Sequence, residues 1–148
     1  MMKTITIKSA VKSFMFLLLL VSFSSTMAQK KFVLIANNDV PLSTIDKSTL
    51  KRVYNGFTTQ WSNGLKAKPS YISSNVESFW AYIGTSKANF DKFWTKRVFS
   101  GNGVPPIEHK ANSDAITYVS RVSGAIGIIE ASEASNIGDQ CKMISLSD

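Results

Sequence analysis

The chain has 148 residues, 44% of them hydrophobic, and its 17 Lys and Arg residues outnumber 10 Asp and Glu residues to give a formal net charge of +7. Three of the lysines belong to an N-terminal segment that we expect to be removed, and their loss lowers the charge from +7 to +4. A net charge this small does not by itself indicate a nucleic-acid-binding protein. Roughly 120 residues remain, enough for one domain with a single hydrophobic core.

The N-terminal segment has the pattern of a signal peptide. An apolar run at residues 14–23 is followed by small residues that end at Ala28. The basic residues that precede the run are Lys3, Lys8 and Lys12. Export signals share this order, whereas the alternative, an uncleaved anchor helix, needs an apolar run of about 20 residues. We therefore expect a signal peptide at 1–28, one domain at 29–148 without a membrane span, and a periplasmic or secreted protein.

Cys141 is the only cysteine. A single cysteine cannot form an intramolecular disulfide, and Cys141 lies too far from the cleavage point to be a lipidated N-terminal residue. We expect a small, partly buried apolar side chain near a terminal strand, in preference to a reactive thiol.

The mature chain is predicted to begin with a strand and a helix. Residues 31–36 read KFVLIA, a strand pattern, and residues 37–41 form the turn that leaves it. Asp46 is a candidate N-cap for the helix, which Gly56 ends. The predicted buried face of this helix comprises Leu50, Val53 and Tyr54. Three basic residues lie off that face: Lys47, Lys51 and Arg52. We expect them to be solvated, and the alternative is a basic binding patch.

A loop, a short strand and a second helix come next. Residues 58–64 are rich in turn-forming residues and contain Trp61. Residues 71–73 predict a short strand. Ser74 and Glu77 match a capping box, in which a serine and a glutamate three residues later satisfy the first amides of a helix. The predicted apolar face of this helix comprises Val76, Phe79, Trp80 and Ile83, before Gly84.

Two longer helices and a buried strand are predicted in the second half. Residues 89–101 and 113–122 place apolar side chains at the 3.6-residue period of a helix. These positions are Phe90, Phe93, Trp94 and Val98, then Ala115, Ile116, Val119 and Val122. Gly124 is expected to end the second helix as a left-handed cap. Residues 125–129 are apolar throughout, typical of a strand covered on both faces, and a last strand is expected at 143–146. The order of elements indicates an α/β domain.

The sequence contains little that predicts catalysis. His109 is the only histidine, which excludes metal sites built on two histidines, and no G-x-S-x-G, P-loop or G-x-G-x-x-G motif is present. His109 lies in a proline-bearing connector, where we expect an exposed structural residue; an exported enzyme would need it buried beside a carboxylate with a cleft between them. The aromatic residues expected in the core, rather than in a base-stacking platform, are Phe79, Trp80, Phe90, Phe93, Trp94 and Phe99.

One segment has the chemistry of a binding site. Ser73, Ser74 and Asn75 lead from a predicted strand directly into a helix. Free backbone amides, the positive end of the helix dipole and short polar side chains favour a small anion at such a position. The alternative is simple capping, in which Ser74 bonds only its own helix.

Motifs along the mature chain resemble the phosphate-binding proteins of ABC transporters. In that family, the end of a helix leads into a loop that carries a tryptophan. This chain has a similar pattern in STIDKSTLKRVYNG followed by QWSNG. Short members, the type II periplasmic-binding-protein-like domains, have segments at similar spacing to FWTKRVFSGNGVPP and AITYVSRVSGAIGII. Their pro-gly-ala-ile-gly-tyr motif is similar to residues 124–127, with Ser123 in place of the proline. The likeness covers residues 32–130.

This resemblance implies a three-layer α/β lobe, a mixed sheet flanked by helices, and in full-length relatives a phosphate held between two lobes. The present chain is long enough for one lobe only. Relatives that bind phosphate also carry an arginine before the turn, whereas residues 71–75 contain neither arginine nor glycine. Because a bidentate guanidinium contact is a strong part of anion capture, we expect weak phosphate binding at most.

The sequence thus predicts an exported solute-binding-like protein, not an enzyme, with no cofactor, no metal and no nucleic-acid partner. Its ligand would be phosphate or another small oxyanion, and its partner a transporter permease, a sensor or an envelope protein. The alternative is a ligand-free interaction module of the cell envelope. That module would form a homodimer or bind an envelope protein through the face that a second lobe would otherwise cover, since a lobe without its partner exposes apolar surface.

Overall fold

The computed structural model describes residues 31–148, and the predicted signal peptide lies outside the described residues. The strands of this part are β1 (Phe32–Ala36), β2 (Thr44–Asp46), β3 (Lys68–Ile72), β4 (Ile107–His109), β5 (Ala125–Glu130) and β6 (Lys142–Ser147). The α-helices are α1 (Lys47–Tyr54), α2 (Glu77–Tyr82), α3 (Lys87–Phe99) and α4 (Asn112–Arg121), and a 3-10 helix spans Ala131–Asn136. None of the helices described in residues 31–148 has the length and apolar character required to cross a bilayer.

The strands form one mixed sheet in the order β2-β6-β1-β5-β3-β4. β1 pairs antiparallel with both β5 and β6, whereas β3 pairs parallel with β5 and β4. The sheet has helices on both faces. Tyr71 of β3 contacts the rings of α2 and α3 on one face, and Gly127 of β5 contacts α4 on the other. The predicted three-layer α/β fold with a mixed sheet is confirmed.

β5 is the most deeply buried strand, as its sequence predicts. Residues 125–129 are all buried, because β5 lies between β1 and β3 with helices above and below. Gly127 allows α4 to approach closely, since a Cβ atom there would lie 2.8 Å from Val119 Cγ2. The all-apolar run therefore indicates a strand covered on both faces.

The first helix matches its prediction closely. Asp46 is the N-cap of α1, and one of its carboxylate oxygens accepts a hydrogen bond from the backbone amide of Thr49. The predicted buried residues Leu50, Val53 and Tyr54 are buried. Tyr54 also donates its hydroxyl hydrogen to the backbone carbonyl of Ser70 at 2.7 Å, so its buried polar atom is satisfied.

The apolar stripe predicted on α3 is only partly correct. Phe90 and Trp94 are buried and Phe93 is half-buried, but Val98 is 51% exposed. Phe99, expected in the core, is 88% exposed. The last turn of α3 borders a surface groove rather than the core, so helical periodicity continues there without burial.

Gly124 has a different role from the predicted helix cap. α4 ends at Arg121, with Val122 as an extended C-cap, so Gly124 lies in the turn that enters β5. Its φ is +76°, and a Cβ atom at this position would lie 2.1 Å from the carbonyl oxygen of Lys66. Its own carbonyl accepts a hydrogen bond from the buried Trp61 indole. Gly124 is required because the loop that carries Trp61 packs directly on it.

Three short elements were not predicted: β2, β4 and the 3-10 helix. β4 lies in the stretch interpreted as a proline-bearing connector, because three residues beside prolines give no alternating pattern that could reveal a strand. The predicted strand at 71–73 begins earlier, at Lys68, and ends at Ile72. Cys141 is a free, buried cysteine just before β6, in agreement with the prediction for it.

Candidate anion-binding site

The predicted anion-binding residues lie at the carboxyl end of β3. Ser73, Ser74 and Asn75 are all exposed and form the turn between β3 and α2. The backbone amide of Ser73 donates a 2.8 Å hydrogen bond to the carbonyl of His109 at the end of β4. Asn75 has a φ of +59°, a left-handed conformation that asparagine tolerates better than most residues. The turn is therefore fixed at its start by the sheet.

The predicted capping box at this turn is wrong. The N-cap of α2 is Val76, which makes no side-chain cap bond, and the helix has only six residues. The left-handed Asn75 separates Ser74 from the helix, so its hydroxyl does not reach the first free amides. Neither Ser73 nor Ser74 has a side-chain hydrogen bond within residues 31–148. Simple capping therefore does not explain the two hydroxyls.

The Glu130 carboxylate lies next to the turn, although no spacing in the sequence predicts this contact. Glu130, at the end of β5, accepts hydrogen bonds at one carboxylate oxygen from the side-chain amides of Asn75 at 3.1 Å and Asn112 at 3.3 Å. The Asn112 side-chain oxygen in turn accepts from the Glu130 backbone amide at 2.9 Å. Because β3 and β5 are parallel neighbours, their carboxyl ends lie side by side, and residues far apart in sequence meet there.

His109 is neither exposed nor in a connector, contrary to the prediction. It lies in β4, is half-buried, and its ring centroid is 5.1 Å from that of Tyr118. Burial lowers the pKa of His109, partly opposed by the charge of Asp114. Its Nε2 atom is buried without a hydrogen-bond partner among residues 31–148, so no described nucleophile is hydrogen-bonded to that nitrogen. Within residues 31–148, no group of three or more His, Cys, Asp or Glu side chains could hold a metal ion.

The predicted residues do not line the groove that lies next to β3 and β4. That groove has a volume of about 550 Å³ and lies between α3 and β4. Its walls include Tyr71 and Glu108, but none of the three turn residues. The turn and the groove are therefore separate surfaces, although Tyr71 precedes the turn by only two residues.

No described protein family matches the sequence, and no curated protein does. Among solved structures, a phosphate transport receptor from Vibrio cholerae has 16% identity and a TM-score of 0.51, over 80% of this chain and 47% of that chain. PstS from Borrelia burgdorferi has 15% identity and a TM-score of 0.55, with the same coverage. A phosphate-bound ABC transporter substrate-binding protein from Clostridium perfringens has 14% identity and a TM-score of 0.58, over 78% of this chain and 44% of that chain.

These similarities establish the fold. The chain folds like part of the phosphate-binding proteins of ABC transporters, as its motifs predict, and spans less than half the length of each of the three structures. The structures it is similar to are binding proteins and not enzymes.

Proposed function

We propose that this protein is an exported, one-lobe solute-binding-like protein that holds phosphate or another small oxyanion weakly at the turn of Ser73, Ser74 and Asn75. One observation carries the proposal: the side-chain amides of Asn75, in this turn, and of Asn112, beside it, already bind a carboxylate, that of Glu130. Two exposed serine hydroxyls without side-chain partners in residues 31–148 lie in the same turn. The fold shared with phosphate-binding proteins supports the choice of ligand.

The same contacts explain why the affinity should be low. The Glu130 carboxylate occupies the amide hydrogens of Asn75 and Asn112 and repels an incoming anion. The turn itself carries no arginine that could bind an oxyanion through two parallel hydrogen bonds. We therefore expect low affinity for an oxyanion at this exposed turn.

Titration calorimetry with phosphate and with sulfate tests this proposal. We expect millimolar binding that is lost in a Ser73→Ala, Ser74→Ala double variant and is unchanged in Ser132→Ala, a matched exposed serine in the 3-10 helix. Removing the competing charge with Glu130→Gln should strengthen binding by about two- to fivefold, the usual range for a partly exposed charge pair. The absence of both heat and a thermal shift in all four proteins would refute oxyanion binding.

A second function is favoured by the exposed apolar residues near the end of α3. Phe99 and Val104 are 88% and 85% exposed, and Phe57 is 54% exposed. Soluble monomers seldom expose large apolar side chains in groups, and such groups mark interaction surfaces. The alternative is therefore a ligand-free interaction module that forms a homodimer or binds an envelope protein. Strictly monomeric sedimentation, together with no partner in cross-linked envelopes, would contradict it.

The proposal also includes export of this protein and a partner protein that receives it. A mature chain that begins after Ala28 would be periplasmic or secreted, where a permease or a sensor could receive it. Mass measurement of the protein recovered from the extracytoplasmic fraction tests the cleavage site. An intact N-terminus in that fraction would contradict removal of the signal peptide.

A further inference from the structure

The groove between α3 and β4 has the dimensions of a small-molecule site. Its volume is about 550 Å³, and ligand pockets measure roughly 300–1,000 Å³. Phe90, Trp94 and Val98 line it from α3, and Pro105 and Pro106 line it from the loop before β4. The lining is therefore apolar over most of its length.

The face of α3 that lines the groove differs from the rest of that helix. Lys87, Asp91, Trp94 and Val98 follow a spacing of four, three and four residues and all line the groove, so they lie on one side of the helix. Lys92 and Lys96 fall on the opposite side by the same periodicity, and neither lines the groove. A basic helix thus presents its only aspartate toward the cavity.

The polar end of the groove contains one ammonium group and two carboxylates. Lys87 Nζ lies 2.7 Å from an Asp91 oxygen and 3.4 Å from Glu108 Oε2. Glu108 Oε2 also accepts a 3.0 Å hydrogen bond from the Tyr71 hydroxyl. The other oxygen, Oε1, has no hydrogen-bond partner in the described residues, and the Glu108 side chain is 45% exposed. One negative charge is therefore left over at this end of an otherwise basic protein.

An aromatic ring in the groove already has a cation over it. The ammonium group of Lys87 lies 5.3 Å from the centroid of the Tyr71 ring, within the range of a cation–π contact. Burial, reinforced by the hydrogen bond to Glu108, raises the pKa of Tyr71 to about 12, so this phenol stays neutral at ordinary pH. The polar end combines an uncompensated carboxylate with a neutral phenol, a combination that suits a cation and repels an anion.

We propose that this groove is a second binding site, for a small organic cation that carries an apolar ring: the ring would lie along Val98 and Pro106, and the ammonium group would pair with Glu108. Charge complementarity selects this ligand class, because the site has one carboxylate in excess while the chain as a whole is positive. The site is independent of the oxyanion seat, since none of the three turn residues lines it.

Two probes with the same ring and opposite charge test this site. Tryptamine is a cation and indole-3-propionate an anion at neutral pH, so backbone amide NMR titrations of the protein with each compare charge at constant apolar area. We expect saturable shifts with tryptamine at millimolar concentration, confined to residues of α3, β4, the loop between them and the end of β3 around Tyr71. Binding of indole-3-propionate should be weaker, because the excess carboxylate repels it.

Three variants make the test specific. Glu108→Gln keeps an acceptor for Tyr71 and should weaken tryptamine binding by about two- to fivefold, whereas Glu133→Gln, the same change in the 3-10 helix, should not alter it. Val98→Lys places a competing cation at an exposed position of the groove and should also weaken binding. Equal affinity for the two probes, shifts outside the groove, or unchanged binding in Glu108→Gln would overturn the proposal. A loss of phosphate binding alone would leave it standing.

Discussion

The turn of Ser73, Ser74 and Asn75 and the groove between α3 and β4 adjoin the same strand but differ in their construction. The turn is polar and exposed, and its Asn75 side chain donates a hydrogen bond to the Glu130 carboxylate, which Asn112 also contacts. The groove has buried aromatic rings among its lining residues and an ion cluster at one end. The turn can therefore change without loss of the fold, whereas the groove shares its residues with the hydrophobic core. The following predictions test this difference.

The largest effect is expected in the groove lining. Trp94 is 5% exposed, and its indole donates a 3.0 Å hydrogen bond to the carbonyl of Tyr54. Trp94→Ala should lower the free energy of unfolding by about 3–5 kcal/mol, the cost of removing a buried aromatic side chain. Urea denaturation measures this change. A loss below about 1 kcal/mol, typical of a surface substitution, would show that the groove is not built on the core.

A smaller effect is expected where Asn112 joins α4 to the end of β5. Its half-buried side chain donates to the Glu130 carboxylate and accepts from the Glu130 amide. Asn112→Ala should cost about 1–1.5 kcal/mol, because the partly buried Glu130 amide is left without its acceptor. Thermal unfolding measures it against Asn136→Ala, whose exposed side chain bonds only to Glu133. Equal stability of the two variants would contradict a structural role for the Asn112 contact.

Alkaline pH should affect the groove end through Tyr71. Its pKa is raised to about 12 in the folded protein, above the value of about 10 in an unfolded chain. The folded state therefore holds a proton that the unfolded state has lost, so this stability is complete below about pH 10 and disappears as the pH rises to about 12. Melting temperatures across that range should fall less steeply for Tyr71→Phe than for the wild type. Identical pH profiles would contradict the raised pKa.

The smallest effect is expected in the turn. Ser74→Ala should change stability by less than about 0.5 kcal/mol, since this hydroxyl caps no helix. Ser86 provides the matched control, because it is the N-cap of α3 and accepts a 3.2 Å hydrogen bond from the Asn89 amide. Ser86→Ala should cost about 1 kcal/mol. Chemical denaturation of the two variants compares them, and a similar loss at Ser74 would restore the capping role that the structure excludes.

The sequence predicted the main elements because their signals are local. Asp46 caps α1 through an amide three residues away, and residues 125–129 form a buried strand because every one of them is apolar. Val98 and Phe99 are exposed, contrary to the prediction, because α3 extends beyond the hydrophobic core. Its last turn keeps the helical period of apolar residues although these side chains lie exposed.

By itself, the sequence determined an α/β domain, the buried face of α1 and the burial of β5 on both faces, because the period of apolar residues and the choice of cap act within one element. Tertiary structure alone decided the chemistry of both surfaces. Glu130 meets Asn75, 55 residues away, and Lys87 meets Glu108 across the edge of the sheet. The register of neighbouring strands and the packing of helices bring these groups together, and neither produces a periodic pattern in the sequence from which the contacts could be predicted.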